Sequence, residues 1–218
     1  MATVNRGILD GFIGKVGTVV GMFWKGIPVM TGYTRSRRDK KSPSQMEQRM
    51  RFGALAQLGA DVLDATLLGL RKAAAARRIT ETNLFIRLNM PMATVTGSGT
   101  LSVDFTGLVL AKGNLVGVSF DAPQFDTPQH VKVEFATPIE SHKTHAEDEV
   151  YLFLYCPDAK SGLLSAAVKR SEGAANVEVP TQWNGLKVHV WGFTMGCELS
   201  ERPGEASDSL YLGSGTIG

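Results

Sequence analysis

The sequence predicts an α+β chain in two parts. A glycine-rich β-ribbon with helices occupies residues 1–91, and an antiparallel β-sandwich of immunoglobulin or fibronectin type occupies residues 92–218. Three observations predict this organisation. Glycines recur among apolar and β-branched residues in the first 34 positions, an apolar period near 3.6 follows Pro43, and the period changes to two after Met92.

The first element is the glycine-rich segment. Residues 7–34 hold seven glycines among residues that favour strands. We predict a β-ribbon that turns near residues 14–17 and again near Lys25-Gly26. Because a two-stranded ribbon is only marginally stable alone in water, it must pack against the rest of its own chain or against another copy.

A long helix is expected next. Either Ser42 or Ser44 starts it; Ser44 as N-cap places Glu47 at the capping-box position. The helix is predicted to run to about Ala75, and a second helix covers residues 80–88, with Thr80 as its candidate N-cap. The long helix has one predicted apolar face, formed by Phe52, Leu55, Ala56, Gly59, Val62 and Leu63.

Three glycines interrupt this helical pattern, namely Gly53, Gly59 and Gly69. Each costs about 1 kcal/mol relative to alanine in a helix. We expect them to permit close approach of another segment, and we expect a break near Gly69.

The C-terminal half has the pattern of short strands separated by turns. Leu152 and Leu154 alternate with large aromatic residues, which indicates a strand covered on both faces. Asn184-Gly185 is the strongest hairpin signal in the chain. The candidate strands are Leu101–Phe105, Leu115–Phe120, Val131–Phe135, Val150–Cys156, Leu163–Arg170, Ala175–Val179, Leu186–Cys197 and Ser209–Leu212.

Charge is divided unevenly along the chain. Residues 1–90 contain 15 Lys or Arg and 6 Asp or Glu, whereas residues 91–218 contain 8 and 15. Such asymmetry favours either nucleic-acid binding at the basic end or head-to-tail contact between copies. Head-to-tail contact accounts for both halves with one interaction.

A cluster of five cations follows the ribbon: Arg35, Arg37, Arg38, Lys40 and Lys41. The cluster can contact a phosphate backbone, and together with residues 71–78 it makes nucleic acid a possible partner. Segments of this kind are more often solvated connectors or arms that dock on an acidic protein surface. Aromatic residues, which usually accompany cations that bind single strands, are absent from the cluster.

The opening of the chain also resembles a known family. The run from Gly11 to Gly26, GFxGKVGxVVGxxWKG, is similar to the start of a family of uncharacterised bacterial proteins. In that family a basic segment follows, then a helix with the pattern Gln-x-x-x-Arg-x-x-Phe, here Gln45 to Phe52, and then a β-rich half. The tail pattern of that half is here Ser207-Asp208-Ser209-x-Tyr211-x-Gly213. The resemblance implies an architecture and carries no activity, so it assigns no functional residue.

Several classes of protein are disfavoured by the sequence. No stretch is long and apolar enough for a membrane span, and the N-terminus lacks the layout of a signal peptide. We therefore expect synthesis in the cytoplasm, with a virion or cell-surface location after assembly; export without such a signal, or trimming, stays open. Two cysteines, Cys156 and Cys197, are too few for a disulfide framework, although a bridge between neighbouring strands is conceivable.

Few residues indicate chemistry. His142 and His145, which precede three carboxylates, are the only metal-ligand pattern, and a polar loop is the favoured interpretation. No nucleophile elbow, Walker loop or zinc-protease pattern is present, so we predict no enzyme activity and no cofactor. Trp183 and Trp191 are a candidate platform for stacking on a sugar, with core packing the favoured alternative.

These observations favour a non-enzymatic structural protein that self-assembles into a homo-oligomer, as a virion or surface-filament subunit. The predicted apolar contacts are Phe12, Val19, Phe23 and Trp24. The predicted charged contacts join the five cations from Arg35 to Lys41 to acidic residues of a neighbour, namely Glu147, Asp148 and Glu149. The alternatives are a nucleic-acid-binding module that uses the basic N-terminal half and a carbohydrate-binding sandwich.

Overall fold

The computed structural model describes residues 3–4, 12–33, 41–96, 100–125, 128–136 and 144–218. Antiparallel β-sheets and four α-helices make it an α+β fold. The helices are α1 (Pro43–Asp61), α2 (Leu63–Gly69), α3 (Arg71–Ala76) and α4 (Glu81–Asn89). The strands are β1 (Thr3–Val4), β2 (Phe12–Val16), β3 (Val19–Trp24), β4 (Ile27–Gly32), β5 (Ala93–Val95), β6 (Leu101–Val103), β7 (Ser119–Phe120), β8 (His130–Ala136), β9 (Glu149–Cys156), β10 (Ser161–Leu164), β11 (Val168–Lys169), β12 (Ala174–Glu178), β13 (Lys187–Met195) and β14 (Leu210–Thr216).

The chain divides into two compact units, Met1–Gln45 and Met46–Gly218. The expected boundary after residue 91 does not coincide with this division. The physical reason is that α2, α3 and α4 share a hydrophobic core with the C-terminal strands. Helices that bury their apolar side chains against a sheet belong to the same unit as that sheet.

The first unit contains an antiparallel sheet with the strand order β1-β2-β3-β4. Its turn at Lys25-Gly26 was predicted, and both residues have positive φ, 45° and 78°, as a tight hairpin requires. The other turn lies at Gly17-Thr18, because β2 continues through residues 14–16 to pair with β3. The observed turn therefore lies about two residues later in the chain than the predicted turn at residues 14–17.

Helix α1 begins at Pro43, with Ser42 before it. The Ser42 hydroxyl accepts a hydrogen bond from the Gln45 backbone N–H at 3.4 Å, and the Gln45 side chain accepts one from the Ser42 N–H at 3.4 Å. This is a capping box with proline at the first helical position. Of the two serines considered, Ser42 is the cap, and the pairing of Ser44 with Glu47 is not used.

The long helical segment is interrupted after Asp61 and again after Gly69, as the glycine at that position indicated. Its predicted apolar face was partly wrong. Leu55 and Val62 are buried, but Phe52 and Leu63 are exposed. Residues at three-four spacing share a side of a helix, yet periodicity does not say how wide a stripe the neighbouring sheet covers.

The second unit has three layers. A five-stranded sheet has the order β10-β9-β13-β14, with β11 also paired to β9, and a three-stranded sheet has the order β12-β8-β7. One core lies between these sheets and includes Val131, Val133, Leu152, Leu154, Ala175, Val177, Val188 and Val190. A second core joins the five-stranded sheet to the helices and includes Leu55, Val62, Ala65, Leu84, Phe85, Phe153, Trp191 and Phe193. The prediction that β9 is covered on both faces is confirmed.

Two details of strand pairing differ from the expectation. Asn184-Gly185 forms a turn, with Gly185 at φ 73°, but the strands on either side of it lie in different sheets. The turn is therefore a crossover and not a hairpin. Most of the expected strand Leu115–Phe120 is irregular, and only Ser119–Phe120 pairs, with β8.

Among the described residues, no helix has the length and hydropathy needed to cross a membrane.

Candidate functional site

The N-terminal sheet presents apolar side chains on both of its faces. The strand pairings Gly14↔Gly21, Gly21↔Met30 and Met22↔Val29 establish which residues share a face, since paired residues point to the same side. One face carries Phe12, Val16, Val19, Phe23 and Met30. The opposite face carries Ile13, Val20, Met22, Trp24, Ile27 and Val29.

Exposure of large hydrophobic side chains is concentrated in this part of the chain. Of the fifteen such side chains found among the described residues, seven lie between Ile13 and Tyr33, in the first unit. Met30 is 68% exposed and Trp24 is 46% exposed. Contiguous exposed apolar surface of this kind marks a site of interaction.

The described part of the first unit has almost no interior of its own. Within residues 12–33 only Gly21 is buried, and neither hydrophobic core contains a residue of this sheet. The ring of Phe12 lies directly over Gly21, where a Cβ atom would collide with that ring and with the Phe12 carbonyl. The predicted contact residues Phe12 and Val19 are half-buried, whereas Phe23 and Trp24 are exposed.

One of the five predicted cationic contacts falls within the described residues. Arg35, Arg37, Arg38 and Lys40 lie outside the described residues. Lys41 is exposed and has a φ of 46°, at the point where the chain enters the cap of α1.

The three predicted acidic contacts differ from one another in the structure. Glu147 forms an exposed ion pair with Lys169 at 2.6 Å, and this pairing raises the pKa of Lys169. Glu149 accepts a hydrogen bond from the Tyr151 hydroxyl at 2.7 Å. Asp148 is completely buried. Asp148 is thus removed from any surface contact, because it forms part of an internal network.

That network is centred on a buried ion pair between Asp148 and Arg170, whose nearest charged atoms are 3.4 Å apart. Asp148 also accepts hydrogen bonds from the backbone N–H groups of His145, at 2.9 Å, and Cys197, at 3.2 Å. Burial lowers the pKa of Arg170, and the charge of Asp148 opposes this effect. The network ties the loop before β9 to the segment after β13.

The two cysteines are not bridged. Cys156 is buried between the sheets, and the Cys197 sulfur lies 3.6 Å from Nδ1 of His145. His142 is outside the described residues, and those that are described contain no group of three metal-ligand side chains.

The candidate sugar platform is not on the surface. Trp183 is 2% exposed and Trp191 is 1% exposed. Trp183 lies in the core between the sheets, and Trp191 lies in the core beneath the helices. Neither ring is available to stack on a carbohydrate.

The tail pattern Ser207-Asp208-Ser209 holds the chain together through side-chain hydrogen bonds. The Ser207 hydroxyl accepts from the Thr194 N–H at 2.9 Å, and the Ser209 hydroxyl accepts from the Leu110 N–H at 3.0 Å. Asp208 accepts from the Gly113 N–H and pairs with Lys112. This segment therefore fastens the loop around residues 108–114 to β13.

Beside the tail lies an aromatic cluster around His189. Its Nδ1 is 2.9 Å from the Tyr211 hydroxyl, and its ring is 4.8 Å from that of Phe105. Burial, with a smaller contribution from the charge of Lys187, lowers the pKa of His189. The histidine is consequently held neutral within the strand, as a packed residue that donates or accepts one hydrogen bond.

A cavity of about 200 Å³ lies between α1 and the aromatic cluster. The Tyr155 hydroxyl donates to Asp61 at 3.1 Å at its wall. Burial and the charge of Asp61 raise the pKa of Tyr155, so this hydroxyl stays protonated and serves as a hydrogen-bond donor.

Comparison with known proteins identifies the family of the chain. Residues 11–213 match a family of unknown function (DUF6266), and the chain belongs to that family. No curated protein matches the chain. Among solved structures, the fn3 domain of the human collagen alpha-1(XX) chain is 13% identical, with 49% of this chain and 89% of that chain covered and a TM-score of 0.34. A likeness of that degree carries no argument about function.

Proposed function

We propose that the protein is a non-enzymatic structural subunit that self-assembles into a homo-oligomer through its N-terminal sheet. The observation that carries this proposal is the apolar surface on both faces of residues 12–33, in a unit whose described part has no core. Burial of such a surface stabilises by about 25 cal/mol for each Å² removed from water. A second surface that covers the sheet is therefore expected to stabilise it.

The uneven charge distribution favours a second copy of this chain as the partner that covers the N-terminal sheet. The basic half of one copy and the acidic half of another copy carry opposite charge, so that a single contact between copies would pair both halves. Tryptophan, phenylalanine and methionine, which the sheet exposes, are also enriched in the cores of protein interfaces. A virion or surface filament is the kind of assembly that such a repeated contact would build.

We further propose that the two facing sheets of the second unit serve as a rigid scaffold of fibronectin type. Support comes from the core shared by β8, β9, β12 and β13. In this proposal no residue of the scaffold performs a reaction.

The proposal is tested by the mass of the purified protein in solution, with negative-stain images of the same samples. Two double variants address the two faces separately: Phe23→Ser with Met30→Ser, and Met22→Ser with Trp24→Ser. We expect the parent to form regular oligomers and at least one double variant to shift to the 23.5 kDa monomer. The matched control is Val116→Ser with Leu199→Ser, which removes two exposed apolar side chains from the second unit and leaves the oligomer unchanged.

The electrostatic part of the proposal has its own test. Replacing Arg37, Arg38, Lys40 and Lys41 by serine removes four cations and is expected to weaken assembly at physiological salt. High salt should weaken the parent in the same direction because it screens exposed charges. A parent protein that is monomeric at every salt concentration contradicts self-assembly, and an oligomer insensitive to the four substitutions contradicts only its electrostatic part.

A further inference from the structure

A second surface, distant in sequence from the N-terminal sheet, has the properties of an anion-binding cleft. It is a concave region of about 360 Å³ between α3 and the loop at residues 112–114. Three of its eight lining residues are cationic, and one is acidic. The cations are Lys72, Arg77 and Lys112, and the acidic residue is Glu205.

Each cation in this cleft keeps unused hydrogen-bond donors. Lys72 donates to the Pro203 carbonyl, and Nη1 of Arg77 donates to the Ala73 carbonyl at 3.1 Å. Lys112 pairs with Asp208, and both side chains are about half exposed. Since an ammonium has three donors, a guanidinium five, and an exposed ion pair contributes little stability, these groups can turn to a bound anion at small cost.

The single carboxylate of the lining is already engaged. Glu205 accepts a hydrogen bond from the Asn114 backbone N–H at 3.1 Å and lies 3.7 Å from a guanidinium nitrogen of Arg202. Its charge is therefore partly compensated from outside the cleft. Two further cations, Arg71 and Arg78, are exposed, and each is adjacent in sequence to a cationic lining residue.

We propose that this cleft binds the phosphodiester backbone of double-stranded nucleic acid without regard to base sequence. Phosphate is the ligand that several converging lysine and arginine side chains recognise best. Cations continue beyond the cleft to Arg71 and Arg78, which suits a chain of phosphates more than a single one. None of the lining residues is aromatic, so the cleft has no ring on which an unpaired base would stack, and a duplex fits it better than a single strand. The proposal does not depend on self-assembly.

The test is fluorescence anisotropy of a labelled DNA duplex of about 30 base pairs with the full chain, over a series of salt concentrations. The cleft variant is Lys72→Gln, Arg77→Gln and Lys112→Gln. The matched control is Arg87→Gln, Lys132→Gln and Lys187→Gln, which removes three exposed cations of the same unit elsewhere. All six side chains are exposed, and thermal melting confirms that each triple variant is folded.

We expect the logarithm of the association constant to fall with the logarithm of salt concentration with a slope of about −3, as for three phosphate contacts to a DNA duplex. The cleft variant should bind at least about tenfold more weakly, and the control within about twofold of the parent. Equal losses in the two variants would overturn the proposal, as would the absence of binding at low salt. Displacement of the duplex by inorganic pyrophosphate at micromolar concentration would assign the cleft to a small phosphate compound and would also overturn it.

Discussion

The N-terminal sheet and the five-stranded sheet are built from similar residues and have opposite relations to solvent. Both contain valine, phenylalanine and tryptophan in paired antiparallel strands. In β9 and β13 these side chains are buried on both faces, under helices on one side and a second sheet on the other. In residues 12–33 only Gly21 is buried.

This difference shows that strand-forming composition does not determine burial. The apolar face of a sheet becomes part of a core when another layer covers it. Without such a layer, the apolar face remains exposed to water. The stability of the chain is therefore expected to reside in the second unit. The first unit is expected to be stabilised by assembly.

The largest expected difference in unfolding free energy is between substitutions of two tryptophans, one in each region. Trp191→Ala is expected to cost about 3–5 kcal/mol in the free energy of unfolding, because it empties a fully packed site. Trp24→Ala, at an exposed site, should change the unfolding free energy by about 0.5 kcal/mol or less. Urea unfolding of the monomeric form measures both, and comparable costs would break the distinction between the two regions.

A second effect tests the buried ion pair of the second unit. Arg170→Met is expected to destabilise by about 3 kcal/mol, since it leaves the charge of Asp148 buried without its partner. The control is Lys132→Met, which breaks the exposed pair with Glu134 and should cost less than about 1 kcal/mol. If the two substitutions had equal effects on urea unfolding, the pair would not be acting as a buried one.

Two helix glycines provide a smaller effect of opposite sign. A Cβ at Gly69 would lie 2.5 Å from the Ala111 Cβ and 2.8 Å from its Cα, so Gly69→Ala should destabilise by about 1–3 kcal/mol. Nothing lies within 4 Å of a Cβ at Gly53, so Gly53→Ala should stabilise by up to about 1 kcal/mol. Thermal melting distinguishes the two, and a stabilising Gly69→Ala would show that α2 and the loop at Ala111 are not closely packed.

The smallest effect concerns pH. The pKa of His189 is lowered in the folded state, so below its ordinary value near 6.5 the unfolded chain binds a proton that the folded chain does not. Stability should consequently fall as the pH drops from 7 toward 5. His189→Gln should reduce the difference between melting temperatures measured at these two pH values, and an unchanged difference would assign the pH dependence to other groups.

The parts of the fold that sequence predicted well were those with a local physical cause. Thr80 caps α4 as expected, and its hydroxyl accepts a hydrogen bond from the Asn83 N–H at 3.2 Å. The residue pattern of β9 predicted a strand that is covered on both faces. Phe52 and Asn184-Gly185 were misjudged because their roles depend on which layer lies opposite. Lys112 was missed altogether, since nothing in the sequence relates it to Lys72 or Arg77.

Local sequence patterns were sufficient to predict the glycine-rich opening, the start of α4, strands such as β8 and β9, and the unequal division of charge. These properties follow from neighbours within a few residues, where backbone freedom, capping and side-chain period act. Packing of the layers, in contrast, placed Asp148 beside Arg170 and Trp191 beneath the helices, and within residues 12–33 it buried only Gly21. Burial and charge pairing depend on contacts between residues far apart in the chain, and such contacts exist only after the layers have packed.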